Sequence, residues 1–135
     1  MFFKTFEFEF ETRRLMWYCP YGGSDFAEVQ STTEKIKEKN YESWYTEWYK
    51  LGNRLVTKKF NSSISKGKAY LRASRYFQAA EFFLSSKDSR KLDCYQLSVN
   101  YFYKGLDLLT TDYSEVIGIS DQLAYALYMQ TWIDP

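Results

Sequence analysis

The sequence contains no histidine, and this absence excludes several kinds of catalytic site. Without an imidazole, the 135 residues cannot assemble a Ser-His-Asp or Cys-His catalytic group, a histidine general base or a histidine metal site. The only two cysteines, Cys19 and Cys94, are too few for a zinc site, and a lone pair does not define a disulfide framework. We expect two free thiols in a reducing compartment, no metal and no cofactor.

A strong excess of one charge and long apolar runs are also missing. Eighteen Lys and Arg residues against 17 Asp and Glu leave a net charge of +1, which gives no electrostatic case for binding nucleic acid or an anionic membrane. No apolar run approaches the roughly 18 residues of a membrane span. The first residues, MFFK, lack the features of a signal peptide. The sequence therefore predicts a cytoplasmic protein with neither nucleic acid nor membrane as a partner.

Aromatic residues, in contrast, are abundant, with 4 Trp, 13 Tyr and 11 Phe. A chain of this length and composition can bury a core and is not disordered. Residues 2–17 fit two elements. Phe6, Phe8 and Phe10 alternate with Glu as in a strand, whereas Phe3, Phe6, Phe10 and Trp17 share one face of a helix. We favour the helix, because Glu and Arg are good helix formers and no turn residue interrupts the run.

Apolar spacing predicts four more helices after the Cys-Pro-Tyr-Gly-Gly break. They cover about 26–40, 41–60 and 66–84, and a last helix follows residue 89. The third of these is apolar nearly all round, which predicts a central position. The last would pack through the seam Leu92, Tyr95, Val99, Phe102, Leu106 and Leu109.

The C-terminal residues have a different pattern, because β-branched and alternating apolar residues over 113–135 predict a β-hairpin. The predicted fold class is therefore mainly α, an antiparallel bundle of four to five helices followed by a C-terminal β-hairpin. The expected domain boundaries are 1–112 for the helices and 113–135 for the hairpin. Ser120 follows a Gly as in a nucleophile elbow, but the second Gly is missing and no His is present, so we interpret it as a turn residue.

Two features of the predicted helices have a structural interpretation that does not involve a ligand. The aromatic face around Trp44 and Trp48 has helical spacing, which favours core over a ligand cage. Arg72 lies on an otherwise apolar helix, where Glu47 or Glu81 would be its buried partner.

Three stretches together resemble the N-terminal helical cap of an α/β-hydrolase family. They are YCPYGGSD at 18–25, WYTEW at 44–48, and AYLRASRY at 69–76 continuing to AEFFL at 80–84. This family includes 2,6-dihydropseudooxynicotine hydrolase and fungal polyketide-shortening hydrolases. The resemblance covers roughly residues 6–130, in the same order and spacing. Arg75 stands where family members usually carry Asn.

The resemblance implies a non-catalytic cap that shapes a substrate pocket for ester or C–C bond hydrolysis by a catalytic domain. The implied partners are that α/β-hydrolase catalytic domain, whose sheet the hairpin would open, and a small-molecule substrate. Its nucleophile, acid and His would lie beyond residue 135, so we expect the chain to be a fragment. The candidate pocket-lining residues are Tyr21, Trp44, Trp48, Arg72 and Tyr76. The alternative is a stand-alone helical interaction module with no link to hydrolysis, and a homo-oligomer is possible in either case.

Overall fold

Five α-helices and one short 3₁₀ turn make up residues 1–110, the part of the chain that the computed structural model describes. The elements are α1 (Phe6–Trp17), the 3₁₀ turn (Cys19–Tyr21), α2 (Phe26–Thr33), α3 (Tyr41–Thr57), α4 (Ser63–Glu81) and α5 (Ser89–Thr110). The predicted class of helices plus a β-hairpin is therefore corrected to an all-helical fold over these residues, where the helices bury one another's faces without a sheet. The residues assigned to the hairpin, 113–135, lie outside the described residues.

The Phe- and Glu-rich segment forms helix α1, as favoured, but the helix presents the opposite face to the core. Phe8 and Leu15 are buried, whereas Phe6, Phe10 and Trp17 are exposed. Helical periodicity separates the two sets by about half a turn, so only one of them can face the core. Of the four aromatic residues assigned to one face, Phe6, Phe10 and Trp17 therefore lie on the surface, and only Phe3, which precedes the helix, is buried.

Helix α2 ends at Thr33, several residues before the predicted end near residue 40. The next helix, α3, has its own start at Asn40, whose side chain accepts a hydrogen bond from the Ser43 backbone N–H at 2.9 Å. An N-cap residue has extended backbone, and Lys39 before it has a positive φ of 58°, so the chain must leave the helical conformation there. Ile36 lies in the segment that connects α2 to α3, and its side chain is buried.

Helix α3 buries the stripe that its spacing predicts, Trp44, Trp48, Leu51 and Leu55. It packs against α4 at Gly52, where an added Cβ would lie 3.0 Å from Cε1 of Phe77. The backbone of α3 at Gly52 therefore lies close to the Phe77 ring of α4.

Helix α4 lies between α3 and α5 and contacts both, which confirms its predicted central position. The Ser74 hydroxyl donates to the carbonyl oxygen of Ser98 at 2.7 Å, and Gly67 lies against Gly105 further along. The contacts run from Ser74 to Gly67 in α4 as they run from Ser98 to Gly105 in α5, so the two helices are antiparallel. A Cβ added to Gly105 would lie 3.0 Å from the carbonyl oxygen of Gly67, so this crossing requires the absence of a side chain.

The predicted seam of α5 is only partly correct. Leu92 and Tyr95 are exposed, and the remaining seam residues are half-buried, with Leu109 against Gly67 of α4. The face that meets α4 combines the small residues Ser98 and Gly105 with Tyr101, whose ring centroid lies 5.0 Å from that of Tyr70 and 5.9 Å from that of Phe77. The small residues allow the two backbones to approach closely, and Tyr101, which is not part of the predicted seam, supplies a large side chain to the contact.

Both cysteines are free thiols, as predicted, with Cys19 half-buried and Cys94 buried. Burial and the nearby Glu81 and Asp93 carboxylates raise the pKa of Cys94 to about 11. Over residues 1–110, no helix has the length and apolar character needed to cross a bilayer. The same residues contain no group of three or more His, Cys, Asp and Glu side chains arranged to hold a metal ion.

Candidate functional site

Four of the five residues predicted to line a pocket come together in the structure, and the fifth lies apart. Trp44, Trp48 and Tyr76 are completely buried between α3 and α4, and the Arg72 side chain at their edge is 22% exposed. Tyr21, in the 3₁₀ turn, is 87% exposed. Their contact with a substrate stays a prediction.

The three buried aromatic residues form one continuous stack. The Trp44 and Trp48 rings meet edge to face with centroids 5.6 Å apart, and Trp48 stacks on Tyr76 at 5.8 Å. The Trp44 indole N–H donates to the carbonyl oxygen of Ala79 at 2.7 Å. The Trp48 indole nitrogen has no acceptor among the described residues, although buried indole N–H groups usually find one.

Glu28 of α2 connects this stack to Arg72. Arg72 donates from Nε to Oε2 of Glu28 at 2.9 Å and from Nη2 to Oε1 at 3.0 Å, which is a bidentate ion pair. The Tyr76 hydroxyl donates to Oε2 of the same carboxylate at 2.8 Å. Burial and the adjacent Glu28 carboxylate raise the pKa of Tyr76 strongly, so the phenol stays protonated and acts as a donor. The network ties α2 to the middle of α4.

The predicted partners of Arg72 are therefore wrong. Glu47 pairs instead with Lys50 on its own helix, and Glu81 pairs with Lys91 of α5. No local signal indicates the pair with Glu28, because its place three residues after Asp25 predicts a different partner, as in a capping box. In such a box the Glu side chain accepts from the N-cap N–H.

Here the Asp25 N–H donates to the Tyr76 hydroxyl oxygen at 2.9 Å instead. The Asp25 side chain still accepts from the Glu28 backbone N–H at 3.0 Å, so the helix start itself is capped. The Tyr76 hydroxyl therefore accepts the hydrogen bond that the Glu28 side chain would accept in a capping box, and the Glu28 carboxylate is available to Arg72.

A separate cleft lies between α1 and α4, with a volume of about 50 Å³. Its polar and aromatic walls are Glu11, Arg14, Tyr18, Arg75, Gln78 and Phe82. The five predicted site residues are not among its lining, because the cleft combines two helices whose contact the sequence pattern does not reveal. This cleft is the feature that sequence reasoning missed.

Two guanidinium groups enter the cleft. Arg14 donates from Nη1 to Oε1 of Glu11 at 3.1 Å. Arg75 donates to Oε1 of Gln78 at 2.8 Å, and its Cζ lies 4.1 Å from the centroid of the Tyr18 ring. Burial raises the pKa of Glu11, and the Arg14 charge only partly opposes that effect. Among residues 1–110, the charged side chains that line this cleft are therefore those of Glu11, Arg14 and Arg75.

The outer face of α1 carries an apolar stripe beside this cleft. Phe6, Phe10 and Trp17 are 75%, 45% and 64% exposed, and the Phe6 and Phe10 rings stack with centroids 6.0 Å apart. Phe26 and Tyr21 are also more than half exposed. Among these residues, the Phe6–Phe10 pair forms a continuous exposed aromatic surface.

Comparisons with known proteins identify relatives among fungal hydrolases. The chain is 34% identical over 119 residues to hydrolase acrC of Aspergillus aculeatus, covering 82% of this chain and 27% of that protein. It is 34% identical over 113 residues to the α/β-hydrolase psoB of Aspergillus fumigatus, covering 77% and 25%. Hydrolyase poxO of Penicillium oxalicum is 30% identical across 95% of this chain and 33% of its own length.

The chain thus spans about a quarter to a third of the length of the curated relatives it matches. No protein-family model matches it. No solved structure matches it either. The resemblance noted in the sequence is nevertheless confirmed by these relatives: this chain is homologous to a segment of the fungal α/β-hydrolases.

Proposed function

We propose that the helical residues, with the boundaries 1–112 expected from the sequence, form a cap of an α/β-hydrolase and cover a substrate pocket. One observation carries this proposal, namely that a chain homologous to α/β-hydrolases is all-helical over residues 1–110. The catalytic part of such an enzyme is built on a sheet, with its nucleophile on a strand-to-helix turn. The helical residues therefore correspond to a region outside that sheet.

In this role the chain contributes shape and exclusion of water, not reacting groups. The 135 residues contain no His, so the base of a Ser-His-Asp site must come from the catalytic domain. A cap over such a site excludes water and supplies apolar walls with a few polar anchors. Hydrolysis of an ester or C–C bond in a small-molecule substrate is the reaction that we propose for the assembled enzyme.

The five predicted site residues take different parts in this proposal. Tyr21 is exposed and can touch a substrate or the catalytic domain directly. Arg72 reaches solvent at the edge of the α2–α4 contact. Trp44, Trp48 and Tyr76 are buried, so their contribution is to hold α2, α3 and α4 in place behind the covering surface.

The proposal is tested by exchanging the segment in a relative. We compare hydrolase acrC, a form lacking the segment aligned with this chain, and a chimera in which residues 1–110 replace that segment. Substrate turnover and folding are measured for all three. We expect the shortened form to lose turnover and the chimera to regain it, and a chimera with Phe77→Asp, which disrupts the helical core, to fail. The 135-residue chain alone should not hydrolyse an activated ester.

Two outcomes contradict the proposal. Full turnover by the shortened form would show that the segment is not needed over the active site. Ester hydrolysis by the 135-residue chain alone would show that it carries its own chemistry. The first outcome favours the alternative, an interaction module that works through its exposed aromatic residues.

A further inference from the structure

We propose that a second cleft, between the end of α2 and the middle of α3, binds a phosphate group through Lys35, Lys50 and Arg54. This cleft shares no lining residue with the one between α1 and α4. The site does not depend on the proposed cap function, because every group it uses lies within residues 1–110.

The shape of the cleft limits the ligand to a compact group. Its volume is about 100 Å³, and by the same measure one water needs about 10–15 Å³. Thr32 of α2 and Leu51 of α3 form the floor, and each is 4% exposed. The Thr32 hydroxyl donates to the carbonyl oxygen of Glu28 at 2.8 Å, so it is not available as a donor. A ligand is therefore held by the side chains of the rim.

The rim carries more positive than negative charge. It is lined by the exposed side chains of Lys35, Lys50 and Arg54 and by the carboxylate of Glu47. Lys50 donates to Oε1 of Glu47 at 3.2 Å, so these two charges offset each other. Within residues 1–110, the side chains of Lys35 and Arg54 make no ion pair or hydrogen bond. The rim therefore has two cations that no carboxylate of the cleft offsets.

The other carboxylates of the surrounding elements do not neutralise these cations. Glu28 and Glu42 pair with arginines of α4 and α5. Glu38 accepts from backbone N–H groups that precede α1, and Glu34 lines a different cavity. Residues 48–80, which include the rest of α3 and nearly all of α4, contain no Asp or Glu. The positive excess of the cleft thus persists when the neighbouring helices are included.

The end of α2 also bears on anion binding, because a helix C-terminus carries a partial negative charge. The last carbonyl groups of this helix, however, are occupied. Those of Gln30, Thr32 and Thr33 accept hydrogen bonds from the backbone N–H groups of the three residues that follow the helix. These carbonyl oxygens are therefore directed to backbone donors and not to the cavity.

Phosphate fits this set of cations better than a carboxylate does. A phosphate monoester carries a charge of about −1.5 to −2 at pH 7 and presents three acceptor oxygens. The planar guanidinium of Arg54 can donate two parallel hydrogen bonds to such a group, and Lys35 and Lys50 act as point charges. A free phosphate ion and the phosphate of an organic ester share this chemistry.

Glu47 gives the proposal a distinctive signature. It competes with an incoming phosphate for Lys50 and repels it. Glu47→Gln removes that charge at nearly constant shape. The substitution should therefore tighten phosphate binding, whereas loss of Lys35 or Arg54 should weaken it.

The test is an NMR titration of the ¹⁵N-labelled 135-residue chain at constant ionic strength. The probes are inorganic phosphate, phenyl phosphate and the monoanion nitrate. We expect saturable shifts in the backbone amides of residues 32–35 and 47–54 with phosphate, and at least about tenfold weaker binding of nitrate. Tighter binding of phenyl phosphate than of inorganic phosphate identifies an ester as the ligand, and equal binding identifies the free ion.

The variants locate the binding energy. Lys35→Gln and Arg54→Gln should each weaken binding by about fivefold, and Glu47→Gln should tighten it by about threefold. Lys37→Gln is the matched control, because Lys37 lies in the same connection between α2 and α3 but does not line the cleft, and its binding should equal that of the wild type. Circular dichroism verifies that every variant is folded.

Several results would overturn the proposal. They are an absence of saturable shifts in the cleft, shifts spread evenly over all exposed lysines, or nitrate binding as tight as that of phosphate. An equal loss in Lys37→Gln and Lys35→Gln would show that only the general surface charge matters. Unchanged or weaker binding in Glu47→Gln would show that phosphate does not lie beside Lys50.

Discussion

Replacement of Glu28 by Ala tests whether the α2–α4 network contributes to stability. The substitution removes the acceptor of three hydrogen bonds, two from Arg72 and one from Tyr76. A hydrogen bond to a charged group contributes about 1.5–3 kcal/mol when buried, and an exposed ion pair contributes only about 0–1 kcal/mol. The Arg72 and Glu28 side chains are 22% and 17% exposed, so the network lies between these limits but closer to the buried one. We expect Glu28→Ala to lower the free energy of unfolding by about 2–3 kcal/mol in total.

Urea denaturation followed by circular dichroism measures the effect. With a slope of about 2 kcal/mol per molar urea, the expected loss moves the midpoint by about 1 M or slightly more. A double-mutant cycle with Arg72→Ala then isolates the pair, and we expect a coupling energy above about 1 kcal/mol. Glu47→Ala is the matched control, because Glu47 pairs with the exposed Lys50 at 3.2 Å and should show no coupling to Arg72.

The reasoning is refuted if the coupling between Glu28 and Arg72 is below about 0.5 kcal/mol. It is also refuted if Glu47 couples to Arg72 as strongly as Glu28 does. Either result would mean that the bidentate contact does not hold α2 against α4.

Three further predictions concern the core, the closest helix crossing and the buried thiol. Phe77→Ala should lower the free energy of unfolding by about 3–5 kcal/mol, because it is a large-to-small change at a side chain that is 1% exposed. Phe6→Ala, at 75% exposure, is the control and should change that free energy by no more than about 0.5 kcal/mol. A small effect of Phe77→Ala in thermal or urea unfolding would contradict the place of Phe77 in the core. Gly105→Ala should lower the melting temperature, because the added Cβ would lie 3.0 Å from the Gly67 carbonyl oxygen, and this crowding outweighs the higher helix propensity of Ala. A higher melting temperature would argue against so close a helix crossing. The folded-state pKa of Cys94 is raised from 9.0 to about 11, so the contribution of the protonated thiol to stability is complete below pH 9 and is lost as the pH rises through 11. The difference in unfolding free energy between wild type and Cys94→Ala should therefore shrink over that range. A difference that does not change with pH would show the thiol to be less buried.

The elements of this fold were predictable where large side chains make the contact. Helix α3 is the clear case, because Trp44, Trp48 and Leu51 are both the most apolar residues of the helix and the ones that face the core. Helix α5 was only partly predictable. Its contact with α4 uses Ser98 and Gly105 beside Tyr101, and a hydrophobicity pattern gives no weight to the small residues, so the first two seam residues, Leu92 and Tyr95, are wrongly placed inside.

The candidate sites were less predictable, because they depend on which helices are neighbours. The sequence indicates that Arg72 needs a carboxylate, but several carboxylates have suitable spacing, and only the packing of α2 on α4 selects Glu28. The cleft combines Arg14 of α1 with Arg75 of α4, about 60 positions apart in the printed sequence. Neither residue stands out on its own helix, so no local pattern reveals the pair.

The hydrogen bond from the Asp25 N–H to the Tyr76 hydroxyl also predicts an order in which the helices form. It joins the first turn of α2 to a residue 51 positions away in α4. Helix α2 has only eight residues, and isolated helices shorter than about 12–15 residues are marginal in water. Its start is completed only when α4 is in place, so we expect α2 to form late in folding. Substitutions that weaken its cap, such as Asp25→Ala, should accelerate unfolding while leaving the folding rate nearly unchanged.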